Sequence, residues 1–513
     1  MPLITSIVNW INIKRVYQID LMRKYPFNIQ QETLFKLISK AENTEWGKKY
    51  DFASIKSIDN FQERLPLQSY ENVKPYIDRL RQGEQDLLWP GEVKWFAKSS
   101  GTTSDKSKFI PVSKDCLEDC HFRGGRDVLA IYANNYPDSK IFSGKGLTLG
   151  GSHKIDNFSN QSYYGDLSAI LIENLPFWTE FIRTPSQEIA LLDKWEEKLE
   201  KITNETIKEN VTSIAGVPSW NLVMLKYILE HTGKNNLLEI WPNLELFIHG
   251  GVSFSPYREQ FKKVIPSDNM HYMETYNASE GFFAIQDDPD KQDMLLMLDS
   301  GIFYEFIPME SFGEDNPRVY HIGEVEKDKN YALVISTNSG LWRYIIGDTI
   351  KFTSLFPHKI IISGRTKHYI NAFGEEIIID NAEQALKIAC TKTNAQVTDY
   401  TAAPVYMGDD NKGSHEWLIE FAVPPKNMDY FISVLDNALM SVNSDYEAKR
   451  YKNITLDKPV VHQAAQGTFY QWLNKKGKLG GQNKVPRLSN NRNVLEELLQ
   501  IHQQLNSTNK SNI

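Results

Sequence analysis

Apolar residues recur at helical spacing over 29–42, where Ile29, Leu34, Leu37, Ile38 and Ala41 share one face. Residues 61–85 read as an extended entry followed by a helix, with Pro66 and Pro75 as punctuation. Val93–Ala97 reads as a strand that runs directly into a hydroxyl-rich stretch, and helical periodicity resumes over 114–134. Gly146–Gly150 predicts a strand of small residues, and 186–203 one long helix. Short strands at Ser213–Ala215, Leu244–Ile248 and Met270–Met273 then alternate with helices, which argues for an α/β unit with a mostly parallel sheet. The segments 295–307, 318–323, 331–337 and 350–353 are strand-rich with few helices between them, and predict an antiparallel subdomain.

Beyond Ser363-Gly364-Arg365 the pattern changes again. A strand end and helix over 377–389, strands over 396–405 and 416–423, and a helix over 429–442 predict a compact α+β unit. The main boundary falls near 364–367 and divides the chain into 1–366 and 367–513. The tail after Leu505 is expected to fray.

A chain of 513 residues exceeds one ordinary core, which fits this division. Its 41% hydrophobic and 24% charged residues are those of a soluble globular protein. A formal net charge of −8 argues against a partner held by clustered Lys and Arg, such as nucleic acid or an acidic membrane. No apolar run reaches the roughly 18 residues of a membrane span, and Met1–Trp10 lacks the basic region and cleavage site of a signal peptide. Three cysteines make no disulfide framework, and the reduced cytoplasm is the expected location. Cys116, Cys120 and His121 lack a second ligand cluster and read as part of a helix face.

Five stretches carry candidate chemistry. Lys98-Ser99-Ser100-Gly101-Thr102-Thr103, followed by Lys106 and Lys108, combines hydroxyls, a Gly and ammonium groups after a strand, the donor set of a phosphate loop. It is not a Walker loop, because position 106 is Lys where that pattern has its second Gly. Read in isolation it is equally a Ser/Thr-rich surface turn. His271–Gly281 is a strand entering a polar turn, where Glu280 is placed to hold Mg²⁺ against phosphate oxygens and Tyr276 offers a flat face to a purine. A helix N-terminus is the alternative there. Gly347-Asp348 ends a strand with a carboxylate suited to two ribose hydroxyls, or makes an ordinary turn. Gly364-Arg365 sets an arginine beside the domain boundary. Lys475–Arg487 is basic and Gly-rich, either a solvated loop or the carrier of a mobile lysine that stabilises charge during acyl transfer to a phosphate. Gly251–Ser255 lacks the final Gly of a nucleophile elbow, and no side-chain nucleophile is evident.

In their order and spacing these stretches resemble the signature series of the adenylate-forming superfamily. The finer resemblance is to bacterial members of the auxin-responsive Gretchen Hagen family of acyl acid amido synthetases. It is carried by Phe61–Pro66 with Tyr70–Pro75, Trp95–Thr103, Gly216–Trp220 and Lys484–Arg487, and extends from about residue 27 to about residue 500. The resemblance implies a large N-terminal adenylate-forming domain and a small, mobile C-terminal domain. It implies ATP and Mg²⁺, a small-molecule carboxylic acid and an amino acid as reactants, and a monomer. Residue by residue, Ser99, Ser100, Gly101, Thr102 and Thr103 match the phosphate loop, and Gly250 and Gly251 the pair passing the base. Tyr276 and Ser279 match the adenine and phosphate segment, Glu280 the metal-associated carboxylate, and Asp348 the ribose binder. Arg365 matches the nucleotide contact beside the hinge, Lys367 sits at the hinge, and Lys484 matches the catalytic lysine. The superfamily usually has Gly where Ser104 stands, which alters the loop tip around Lys106 and Lys108. The acyl pocket is expected between 120 and 250, including Gly216–Trp220. A thiol acceptor such as coenzyme A, or a non-catalytic nucleotide-binding module, are the competing readings.

Overall fold

The computed structural model describes residues 2–99, 108–150, 156–159, 162–192, 194–251, 254, 257–365, 369–370, 377–405, 413–443, 446–447, 450, 456–479, 484–489 and 492–511. The first strands are β1 (Trp95–Ser99), β2 (Lys108–Val112), β3 (Lys145–Thr148), β4 (Asp156–Ser159), β5 (Ser162–Gly165), β6 (Arg183–Thr184), β7 (Val211–Gly216) and β8 (Leu246–Gly250). They are followed by β9 (His271–Ala278), β10 (Gly281–Ile285), β11 (Met294–Leu296), β12 (Ile302–Pro308), β13 (Tyr320–His321), β14 (Asn330–Thr337), β15 (Tyr344–Leu355) and β16 (His358–Arg365). The last five are β17 (Tyr369–Ile370), β18 (Ile377–Ile378), β19 (Gln396–Val405), β20 (Ser414–Val423) and β21 (Val460–Gln463).

The expected parallel and antiparallel parts are two halves of one twelve-stranded sheet, in the order β13-β12-β14-β15-β16-β11-β10-β9-β8-β7-β3-β6. From β9 to β6 the neighbours run parallel; from β13 to β9 they run antiparallel. Every residue of β12, and all of β14 after Asn330, is buried. Covering on both faces explains why these strands read as continuous apolar runs without alternation. The turn into β15 is held by Arg343, at a φ of 45°. Its guanidinium pairs with buried Glu305 at 3.0 Å and donates to the carbonyls of Gln62 at 2.7 Å and Leu65 at 2.5 Å. A second sheet has the order β2-β1-β5-β4, and its β1–β2 ladder ends at the Ser99–Lys108 pair.

Residues from 370 onward build their own cores. Ala382, Leu386, Trp417, Phe431 and Leu435 pack between the β19-β20-β21 sheet and the helices Ile379–Thr393 and Met428–Val442.

Three local expectations change. The helix expected over 186–203 is two helices, Gln187–Ala190 and Trp195–Thr206. Ala190 and Leu191 bury against Ala169 and Ile172, and the Glu205 carboxylate accepts from Ser186 N at 2.6 Å, so the second helix folds back onto the start of the first. The extended entry at 61 is the end of a helix, Ile58–Arg64; the next, Tyr70–Arg81, opens on a Ser69/Asn72 capping box and tolerates Pro75 inside it. The tail continues as the Asn493–Ser511 helix, because Leu495, Leu498 and Ile501 lie on one face against Phe469 and Trp472. The 114–134 prediction holds, with a π segment at Leu117–His121; Cys116 just before it and Cys120 within it are both buried. Among the described residues no helix is long and apolar enough to cross a membrane.

Candidate active site

The site lies where the parallel half of the sheet meets the antiparallel half. β9 and β10 form a tight hairpin: Ala278 pairs with Gly281, leaving Ser279 and Glu280 as the two turn residues. Both are buried, at 6% and 7% exposure. The expected strand-to-turn carboxylate is therefore a hairpin tip, and the helix N-terminus considered for it is not what forms.

Tyr276, three residues before Ser279, donates its hydroxyl to Asp348 Oδ2 at 2.5 Å. β9 and β15 are separated in the sheet by β10, β11 and β16. Four strand spacings of about 4.8 Å would put them roughly 19 Å apart in a flat sheet. Two side chains cannot reach across that distance, so the sheet curls strongly here and closes a concave wall. Asp348 is buried and is the Cα partner of Arg365 on β16, so the predicted ribose carboxylate and the predicted nucleotide arginine are cross-strand neighbours. Tyr344, also buried, stands behind them. Burial pushes its phenol well above its ordinary range, and the charges of Glu280 and Asp348 add to the shift. Asp348 thus joins Tyr276 and Glu280 of the β9–β10 hairpin from a segment 72 positions beyond Tyr276.

Tyr70 extends this cluster to the hydroxyl-rich stretch. Its hydroxyl accepts from Phe109 N at 2.9 Å, and the Lys108 ammonium stands 5.5 Å from its ring centre. Ser99 and Lys108 are Cα partners at the end of the β1–β2 ladder. Ser100, Gly101, Thr102 and Thr103 lie outside the described residues, as does Lys367. Sequence reasoning missed Tyr70 beside the candidate site; the Tyr70–Pro75 stretch that carries the family resemblance is the signal that could have found it.

On the neighbouring strand the glycine pair has two distinct reasons. A Cβ on Gly250 would sit 2.4 Å from the Thr275 carbonyl oxygen, so the backbones of β8 and β9 leave no room for one. Gly251 has a φ of +80°, and a Cβ there would lie 3.3 Å from Lys484 Nζ and 3.6 Å from Val217 Cγ2. The late lysine therefore reaches the glycine pair from the far end of the chain. Val217, within the stretch expected to serve the acyl pocket, stands at the same point.

His249 and Glu274 are paired across β8 and β9, one residue before the glycine pair and two before Tyr276. Burial depresses the His249 imidazole to about 3, with the Arg258 charge adding, so it is neutral at physiological pH. Burial raises the Glu274 carboxyl to about 7 against the opposing pull of Arg258. Neither residue stands in a sequence pattern that announces it; only the register of β8 on β9 brings them together.

Among the described residues no group of three or more His, Cys, Asp or Glu side chains is placed to cage a metal ion. Glu280 offers a single carboxylate at the hairpin tip, the kind of donor Mg²⁺ takes when substrate phosphates complete its shell, so the residue fits that ion.

The curled sheet, the glycine pair and the lysine brought to it make one candidate site. Three family models match in chain order: the GH3 family N-terminal domain over residues 15–270, the central domain over 295–365 and the C-terminal domain over 380–493. The chain belongs to the GH3 family. It is 24% identical over 413 residues to indole-3-acetic acid-amido synthetase GH3.2 of Arabidopsis thaliana, covering 67% of this chain and 74% of that one. It is 24% identical over 580 residues to jasmonoyl-L-amino acid synthetase GH3.5 of Oryza sativa subsp. japonica, covering 95% and 96%. Among solved structures, GH3.15 acyl acid amido synthetase shares the fold with a TM-score of 0.76 at 17% identity, over 95% of each chain.

Proposed function

We propose that the protein is an ATP-dependent acyl acid amido synthetase. It activates a small carboxylic acid as an acyl-AMP and passes the acyl group to the amine of an amino acid. The observation that carries the reading is the meeting of Lys484 Nζ with Gly251, beside the pair formed by Tyr276 and Asp348.

In the first half-reaction an acid carboxylate attacks the α-phosphorus of ATP and pyrophosphate leaves. Asp348 accepts from the ribose hydroxyls, with the Tyr276 hydroxyl fixing its orientation and the Tyr276 ring available to the base. The loop over Ser99–Thr103 holds the phosphates through backbone and hydroxyl donors. Gly250 and Gly251 let the β8 backbone pass close to the nucleotide. Lys484 places its ammonium between the incoming carboxylate and the α-phosphate, where negative charge accumulates as the new bond forms. Mg²⁺ supplies further neutralisation of the phosphates when bound, and Glu280 is the residue to hold it. In the second half-reaction the amine attacks the acyl carbonyl and AMP leaves. Rotation of the domain from 367 onward about a hinge at 364–367, with Arg365 and Lys367 on it, withdraws Lys484 and opens the carbonyl. Homologues named for indole-3-acetic acid and for jasmonic acid conjugation support the amide product. The unpaired thiols of Cys116, Cys120 and Cys390 suit a cytoplasmic location, and the enzyme is taken to act as a monomer.

The test is pyrophosphate release over a panel of acids (benzoate, indole-3-acetate, jasmonate, octanoate), with product masses after adding amino acids or coenzyme A. Acid-dependent release with an amide product supports the reading. A thioester product moves the protein to the coenzyme A ligases, and tight ATP binding without acid-dependent release makes it a binding module.

A further inference from the structure

The segment carrying Lys484 is pinned at its other end. Thr401 Oγ1 donates to the Pro486 carbonyl at 2.6 Å, Ala402 N to the Arg487 carbonyl at 2.9 Å, and Ser489 N to the Ala402 carbonyl at 3.1 Å, so 486–489 is bridged to β19 at Ala402 and Leu488. The Arg487 guanidinium turns back into β19. It donates to Asp399 Oδ1 and, at 3.2 Å, to the Tyr400 carbonyl, with its carbon 4.7 Å from the Tyr400 ring centre. Tyr400 in turn donates its hydroxyl to Glu383 at 3.0 Å. A planar, fork-shaped cation held at several points loses its freedom to swing.

Tyr257 meets this cluster from the opposite side. Its ring is buried in the core that also holds Phe254, Phe261 and Ile214. Its hydroxyl lies 3.5 Å from the Thr398 carbonyl oxygen. Burial pushes the phenol up to about 12, and the Arg487 charge pulls against that shift. The C-terminal unit therefore touches the N-terminal unit at two points on one short stretch: Lys484 at Gly251, and the Arg487 cluster at Tyr257. Three residues of extended chain, roughly 10 Å, separate them. One contact alone leaves a lysine free to pivot; two fix its direction.

We propose that Arg487 is the positioning residue for Lys484, and that Tyr257 is the seat on which the Arg487–Asp399 pair docks when the lysine faces the nucleotide. The inference rests on the proposed acyl-adenylating activity. Because Tyr257 and Arg487 lie on either side of the 364–367 boundary, the rotation proposed above parts them for the second half-reaction. The Arg487–Asp399 pair lies within the C-terminal unit and travels with it.

The experiment measures two rates on the full chain: acid-dependent ATP–pyrophosphate exchange, with the acid from the panel above that gives the fastest release, and aminolysis of the corresponding synthetic acyl-AMP. Arg487→Met is expected to lower the exchange kcat about tenfold with the KM for ATP unchanged, the effect of misplacing a group by a fraction of an ångström. Arg487→Lys restores part of the loss. Tyr257→Phe, which keeps the packing, slows exchange about threefold and leaves aminolysis at the wild-type rate. Should Arg487→Met fail to fold, Tyr257→Phe and Arg487→Lys decide the matter alone. Wild-type exchange in Tyr257→Phe, a change confined to KM, or equal losses in both half-reactions overturns the docking role. Absence of exchange from the wild-type protein with every acid defeats the enzymatic reading and the inference with it, whereas an active wild type with equally active variants defeats the inference alone.

Discussion

Replacing Gly251 by Ala probes the junction between the glycine pair and the late lysine with one methyl group. The backbone at Gly251 has a φ of +80°, which costs a residue with a Cβ about 1–2 kcal/mol. The added carbon lies 3.3 Å from Lys484 Nζ and 3.6 Å from Val217 Cγ2. The second contact is ordinary packing; the first is tighter than relaxed packing, and the lysine is the more flexible partner. Its ammonium must move by a few tenths of an ångström. A displacement of 1 Å costs about 100-fold in a positioned reaction, so this smaller one is worth roughly tenfold in the adenylation rate. Gly250→Ala provides the contrast. There the new carbon meets a main-chain oxygen at 2.4 Å, and relief requires β8 to part from β9. The expected cost is about 3 kcal/mol of stability, the upper range for overpacking. Paired assays separate the two effects: thermal unfolding for stability, and acid-dependent pyrophosphate exchange at a temperature where both variants are folded. Gly251→Ala is expected to unfold close to wild type and exchange slowly; Gly250→Ala to unfold early. A Gly251→Ala protein with the wild-type exchange rate refutes the placement of Lys484 at Gly251 in the working enzyme.

Asp348→Asn retains the shape and the acceptor for Tyr276 but loses the charge. Hydrogen bonds to a charged group contribute about 1.5–3 kcal/mol, so the KM for ATP should rise roughly 10- to 100-fold while kcat changes less; an unchanged KM removes Asp348 from the nucleotide site. Glu274→Gln tests the buried carboxyl. Its pKa in the folded protein is raised to about 7 from an ordinary value of 4.5, so the protonated form is the one the fold favours. Its contribution to stability is complete below pH 4.5, is lost as pH rises through 7, and is flat beyond. The Gln variant should flatten this fall, with a difference of at most about 3 kcal/mol between pH 5 and pH 8; superimposable pH–stability curves for the two proteins contradict the buried placement.

Part of the site is legible in the sequence. Glu280 and Asp348 are read from strand ends and Arg365 from the glycine before it, but Gly347 and Asp348 neither end a strand nor turn: they lie inside β15, whose pairing with β16 runs on to Leu355. The structure sets Glu280 and Asp348 near the same tyrosine, Tyr344, and Asp348 in register with Arg365. The glycine pair and Lys484, 233 positions apart in numbering, came from the resemblance, since no local pattern links them; packing shows why the glycine is required. Tyr70, Tyr344, His249 and Glu274 were not read as site residues, because their roles depend on which strands lie side by side and on how far the sheet curls. The α/β character follows from periodicity, but that the antiparallel strands continue the parallel sheet does not, because strand order is set by long-range pairing. The stretch over 186–203 reads as one helix because apolar spacing persists through Leu191, but Leu191 buries against Ala169 and Ile172 and Glu205 of the second helix returns to Ser186.

The central claim, that Lys484 is brought to Gly251 to stabilise charge as the acid attacks ATP, is tested most directly by acid-dependent ATP–pyrophosphate exchange in Lys484→Ala, with ATP affinity measured by calorimetry on the same preparation. Loss of the ammonium should lower exchange by about 100- to 1,000-fold, the effect of removing a group that stabilises developing charge. The Kd for ATP should stay within about threefold of wild type, because the ribose and phosphate contacts remain. Full exchange activity without the lysine, or loss of activity that merely follows a loss of ATP binding, contradicts the account.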